Sequence, residues 1–178
     1  NSVVLYAFSG QFNGKWLVPG WAPPLFNEER WQQENFSTEK QIKELTALIN
    51  SESISCEEKN NLKRQRKLLS QKLMCRLHSL YTLRNFRGET ASLSSFYSSQ
   101  RGAPTGAGDC CAPKLLNHAL NNMIIPTGMA EFYWGRTNLS KSRRHGHFYP
   151  ACTSKCTPLL GFMLCGLKEQ QSSLVPSL

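Results

Sequence analysis

The stretch from Ser55 to Gly88 constrains this chain more than any other. Ser55-Cys56-Glu57-Glu58 has the form of a capping box, in which a serine hydroxyl and a glutamate three residues on satisfy free amides at a helix start. Leu62, Leu69, Leu73, Leu77 and Leu80 then recur at helical spacing, and Gly88 suits a helix stop. A long helix with one apolar stripe must bury that stripe against something. The neighbour on offer is Ser37 to Asn50, a shorter helix with Ile42, Leu45 and Ile49 on one face. The two are expected to form a helical hairpin, read here as an antiparallel coiled coil, although the seam is shorter than four heptads.

The same segment holds the charge. Between Lys59 and Gly88 there are nine basic residues (Lys59, Lys63, Arg64, Arg66, Lys67, Lys72, Arg76, Arg84 and Arg87) and no acid. The rest of the chain balances twelve basic against twelve acidic residues, so the whole net charge of +9 lies in that segment. A localised basic stripe is the electrostatic footprint of a polyanion binder.

Outside the hairpin the sequence suggests a small layered fold. Val3 to Phe8 is strand-prone, Asn13-Gly14 is a turn signal and Lys15 to Val18 returns, so residues 3–24 are expected to form a β-hairpin closed off by Pro19, Pro23 and Pro24. Residues 88–108, rich in Ser and Gly, read as a loop. Pro113 to Asn122 reads as a helix, Gly128 to Trp134 as a strand, Arg136 to Arg144 as a basic loop, and Thr157-Pro158 as the start of a last helix reaching Cys165. The order β-β-α-β-α implies an α/β (α+β) fold with a small mixed sheet, flanking helices and one crossover. Residues 1–30 and 88–167 would form the core, 31–87 an inserted hairpin, and the polar 168–178 a linker towards a catalytic domain that lies elsewhere. No apolar run reaches the length of a membrane span.

Seven cysteines in a chain of 178 residues are too many for chance, and an odd number for a pure disulfide scaffold. A reducing, cytoplasmic setting with thiols or a metal site fits better. Four of them cluster with two histidines in two patches, Gly108-Asp109-Cys110-Cys111-Ala112-Pro113 and His145-Gly146-His147 through Cys152-Thr-Ser-Lys-Cys156. Each patch precedes a helix carrying proline at its start, where the dipole favours a thiolate. Cys110, Cys111, His145, His147, Cys152 and Cys156 are therefore candidate zinc ligands, since tetrahedral zinc takes cysteine and histidine. Packed thiols or a redox pair are the alternatives. Cys56 and Cys75 fall in the hairpin and Cys165 in the last helix, away from both patches. His118 reads as an ordinary core or surface histidine. Gly106-Ala107-Gly108 reads as a flexible turn rather than an anion cradle.

The order of parts also resembles the zinc-dependent nucleobase deaminase fold, with Cys111-Ala112-Pro113 in place of a His/Cys-Ala-Glu motif and Cys152 to Cys156 in place of Pro-Cys-x-x-Cys. Pro113 stands where the proton-shuttling glutamate belongs, and the second cysteine pair is one residue wider. Asp109 or Glu131 would have to supply the acid and base.

A more specific resemblance comes from Leu5-Tyr6-Ala7-Phe8-Ser9-Gly10 with Val18-Pro19-Gly20-Trp21-Ala22-Pro23-Pro24. With these go Thr105-Gly-Ala-Gly-Asp-Cys-Cys-Ala-Pro-Lys-Leu-Leu116, Met129-Ala-Glu-Phe-Tyr-Trp-Gly135 and His145-Gly-His-Phe-Tyr-Pro-Ala-Cys152. These blocks resemble the N-terminal extension of long bacterial RluA-type RNA pseudouridine synthases, a resemblance that runs in blocks over about two-thirds of the chain. No His-Arg-Leu-Asp motif is present, so the catalytic aspartate of that family is not in this chain and no residue here is assigned as catalytic. The resemblance implies an accessory RNA-binding or substrate-positioning domain, with a ribosomal or transfer RNA and the synthase domain of the same protein as partners, and no membrane. Its expected RNA contacts are Lys59, Lys63, Arg64, Arg66, Lys67, Lys72, Lys114, Arg143 and Arg144, with Trp16, Trp21 or Tyr97 available to stack on bases. A zinc-binding deaminase-like domain and a protein-interaction arm are the competing readings.

Overall fold

The computed structural model describes residues 2–52, 54–97, 102–137 and 139–173. It is α+β, with α-helices and a small antiparallel two-stranded sheet. The chain divides into two compact units, Phe26–Tyr81 and Asn1–Leu25 together with Thr82–Leu178.

The first unit is a pair of helices, α1 (Glu28–Ile49) and α2 (Cys56–Ser79). Each starts where a side chain replaces the missing backbone acceptor. Asn27 accepts from the Arg30 amide at 2.9 Å, and Ser55 accepts from the Glu58 amide at 3.2 Å. Glu28, Glu29, Glu57 and Glu58 occupy the positive ends of the two dipoles, and Arg76 and His78 the negative end of α2. The helices run antiparallel, because Arg66 donates to Thr46 near the tip and Arg76 donates to Thr38 at 2.7 Å lower down. Ile49, Leu73 and Leu77 are buried, and Leu62 and Leu69 half-buried, so the leucine stripe faces inward. Phe26, Trp31 and Tyr81 stack at the base, with Phe26 4.9 Å from Tyr81 between ring centres.

In the second unit, β1 (Thr82–Arg84) pairs with β2 (Thr90–Ser92), Leu83 facing Ala91. Buried Asn85 fixes the turn between them by accepting from the amides of Arg87 and Glu89. A 3-10 turn, Leu93–Phe96, follows, then α3 (Cys111–Asn121), α4 (Thr157–Met163) and α5 (Leu167–Ser173). Leu83, Leu93, Leu116, Leu159 and Met163 form the core where β1, α3 and α4 meet. Among the described residues no helix is long and apolar enough to cross a membrane.

Several expectations are corrected. Helix α1 begins at Glu28 rather than Ser37, because Asn27 caps it. Helix α2 stops at Ser79 rather than Gly88, and residues 82–84 form a strand instead. The helical unit therefore spans 26–81, not 31–87. The loop expected over 88–108 contains β2 and the 3-10 turn, while its residues 98–101 lie outside the described residues. The 3–24 hairpin reduces to the bridge Phe12–Lys15 around Asn13-Gly14, whose φ angles of 49° and 75° suit a tight turn. Beyond that bridge Pro19, Pro23 and Pro24 have no amide hydrogen to give to a ladder. The 128–134 strand likewise reduces to the bridge Phe132–Phe148, so among the described residues there is no mixed sheet with a crossover. The start of the expected 168–178 linker belongs to α5, and 174–178 lie outside the described residues.

Candidate metal centre

Cys110 is the N-cap of α3 with extended backbone (φ −71°, ψ 163°) and makes no capping hydrogen bond with its side chain. Pro113 is third in the helix, not first, and Cys111 opens it. Cys152 and Cys156 are drawn together by a tight turn in which the Cys152 carbonyl accepts from the amides of Cys156 and Thr157, both at 3.1 Å, and from the Thr157 hydroxyl. The Cys152 and Cys156 sulfurs are 3.4 Å apart. All three sulfurs, of Cys110, Cys152 and Cys156, lie within 4.8 Å of one another.

The protons are unevenly shared. The Cys156 thiol donates to the Cys110 sulfur, and this bond pulls Cys110 down to about 7, against burial and the nearby Glu131 and Asp109. Cys156 is pushed well up because it keeps the donated proton. Tyr97 is raised to about 12, first by burial and then by the three thiols nearby, and its hydroxyl donates to the Lys155 carbonyl at 2.6 Å.

The sulfurs form one wall of a cavity of about 210 Å³, lined also by Ser9, Cys111, Glu131, Phe132, Tyr133, Arg143, Tyr149 and Pro150. Glu131 accepts from the Ala112 amide at 3.3 Å, which sets its carboxylate against the start of α3. Arg143 lies over the Tyr149 ring, 4.0 Å from its centre. Asp109 and Lys155 both flank Gly106, and the Asp109 carbonyl accepts from the Gly10 amide at 2.8 Å.

The remaining candidates separate from this cluster. Cys111 turns to Ser9, 3.4 Å from its hydroxyl, and burial raises its thiol. His145 accepts from the Gly135 amide and packs on Trp134, with 4.4 Å between ring centres, and His147 is exposed. The two imidazoles do not join the sulfurs. Gly146 has φ 73° in a turn, so the segment is not extended there and the expected common face is lost.

Lys114 is not a surface cation. It is 1% exposed, donating to the carbonyls of Phe8 at 2.9 Å and Gly10 at 2.8 Å, so it has no surface to offer a phosphate. Lys63, Arg64, Lys67, Lys72 and Arg144 are exposed, whereas Lys59, Arg66 and Arg143 are half-buried. Trp16 is buried, Tyr97 is half-buried and Trp21 is 42% exposed. The cavity aromatics Tyr133 and Tyr149 escaped the sequence reading, although Phe132-Tyr133-Trp134 and Phe148-Tyr149 alternate as a two-faced ribbon should.

No protein-family model, curated protein or solved structure matches the chain.

Proposed function

We propose that this chain is a zinc-binding accessory domain of an RluA-type RNA pseudouridine synthase, holding the ion through Cys110, Cys152 and Cys156. The convergence of three sulfurs at the wall of a cavity supports this reading. Zinc–sulfur bonds of about 2.3 Å in a tetrahedron imply sulfur–sulfur edges of about 3.8 Å. That value falls between the 3.4 Å of Cys152–Cys156 and the 4.8 Å limit of the group, so sub-ångström shifts would seat the ion. Cys110 supplies a thiolate near neutral pH, and metal would displace the protons on the other two. With three protein ligands a fourth position would face the cavity. In the deaminase-like version of this site, Glu131 rather than a residue at the Pro113 position would carry protons to a base held there.

The test is elemental analysis of protein purified without added metal, beside a Cys152→Ser variant. Stoichiometric zinc in the parent and its loss in the variant are expected. Fully folded parent protein without zinc refutes the reading.

A second component concerns α2, supported by the confinement of the net charge to 59–88 and the exposure of Lys63, Arg64 and Lys67. These would contact RNA phosphates, a term that falls with salt as counterions are released. Replacing Lys63, Arg64, Arg66 and Lys67 by Gln should reduce the slope of log affinity against log salt by about 2–3, because Arg66 is already engaged with Thr46. An unchanged slope on structured RNA refutes this contact.

A further inference from the structure

Residues Glu131–Trp134 and His145–Tyr149 run antiparallel as a short ribbon. It is held by bonds from the amides of Tyr133 to His147, Gly146 to Tyr133 and Tyr149 to Glu131. Side chains alternate across such a ribbon. Glu131, Tyr133 and Tyr149 line the cavity; Phe132 borders it too but is 53% exposed, and Trp134 and Phe148, 74% and 71% exposed, are not among its lining residues. Phe132 meets both other rings edge to face, 5.9 Å from Phe148 and 6.3 Å from Trp134, and His145 extends the row against Trp134. A contiguous exposed aromatic row is a feature that marks binding surfaces.

The surrounding charge selects the occupant. The loop that joins the two ribbon segments, 135–144, carries Arg136, Lys141, Arg143 and Arg144 and no acid. Flat rings beside a basic loop match a polyanion that also presents π-faces. The exposed loop beyond Trp134 is mostly polar, with Leu139 as its one large aliphatic side chain, which is poor material for insertion into a bilayer.

We infer that this face is a stacking platform for unpaired bases of single-stranded RNA, with the basic loop on the flanking phosphates. The inference rests on the RNA-partner reading above and makes no use of α2. It is tested with the full chain by fluorescence anisotropy on labelled oligouridine and on an RNA duplex of equal length. The variants are Trp134→Ala, Phe148→Ala and Trp134→Phe, with Phe36→Ala, an exposed aromatic of α1, as control.

Each alanine variant should weaken oligouridine binding on the order of 5- to 150-fold, the range of base stacking, with the salt slope and duplex affinity unchanged. Trp134→Phe should recover most of the loss and Phe36→Ala should lose nothing. Oligouridine affinity unchanged in both alanine variants, with parental duplex binding intact, overturns this inference alone. A parent that binds neither RNA at low salt sinks the RNA reading as well. Tighter binding to phosphatidylglycerol vesicles than to oligouridine, abolished by Trp134→Ala, also overturns it in favour of a membrane surface.

Discussion

Lys114 is a sensitive point of the second unit, and its replacement by Met separates its hydrogen bonds from its bulk. Its ammonium donates to the carbonyls of Phe8 and Gly10 and lies 4.7 Å from the centre of the Phe8 ring and 5.5 Å from that of Trp16. Methionine fills a similar volume but leaves two carbonyls without these donors, at about 1–3 kcal/mol each. The lost cation–π contact adds up to about 2 kcal/mol. Against this, the variant no longer buries a charge, whose cost is visible in the downward shift that burial imposes on Lys114. The balance is a destabilisation of about 2–4 kcal/mol, or a urea midpoint lowered by about 1–2 M. Unfolding followed by tryptophan fluorescence reads it directly, since Trp16 lies beneath the ammonium.

The pH dependence offers an independent check. The folded chain releases the Lys114 proton below 10.5, the value at which the unfolded chain releases it. The unfolded state then binds more protons in that window, so parental stability should rise as pH climbs towards 10.5. Lys114→Met should lack that rise. A variant within about 0.5 kcal/mol of the parent, or one with the same alkaline profile, refutes the assigned role.

Gly166→Ala places a methyl 2.8 Å from the Arg87 amide nitrogen and the Phe86 carbonyl carbon, at a φ of 86° that already disfavours a side chain. A loss of at least about 2 kcal/mol, or a Tm lower by roughly 4–8 °C, is expected in a thermal melt, and an unchanged Tm refutes the close approach. In metal-free protein, Cys110 should alkylate with iodoacetamide at a rate that rises through about pH 7, because its thiolate is stabilised by the Cys156 proton. Cys111, raised by burial, should lag, and mass spectrometry showing a Cys110 midpoint at the ordinary thiol value of 9.0 refutes the shared proton.

What could be read in advance follows the range of the interactions involved. Ser55 and the leucine stripe act within a few residues, so the start and apolar face of α2 are legible, but its stop at Ser79 is not, since Gly88 ends nothing helical. Helix α1 was legible only from where Ile42, Leu45 and Ile49 establish a period, and its earlier turns depend on the Asn27 cap with Glu28 and Glu29 behind it. The bridge Phe12–Lys15 is the single pairing that the local Asn13-Gly14 turn closes, Phe132–Phe148 is an isolated pairing set by tertiary context, and residue propensity overstates the strands around both. Cys110, Cys152 and Cys156 could be grouped because helix starts recur at the patches, whereas the departure of His145 and His147 turns on the backbone of Gly146. Lys114 misled because its place in the first turn of α3 says nothing of the N-terminal carbonyls that fold over it.

A metal at the sulfurs would couple them energetically to the ribbon. Backbone bonds between its two segments are few, all seven cysteines are free thiols, and the connection from Tyr149 to Cys152 contains no regular element. The Glu131–Ala112 bond and the Tyr97–Lys155 bond are further ties of this region. A metal ion shared between Cys110 on α3 and Cys152 and Cys156 after the ribbon would close that loop, so much of its binding free energy would appear as local folding free energy. The aromatic row on the outer face inherits that order through Phe148, four residues before Cys152. Chelation of the zinc-loaded protein should therefore raise amide hydrogen exchange at 145–156 first and leave α1 and α2 unchanged. Uniform exchange changes across both units, or none at 145–156, would break the link between the sulfur centre and the face above it.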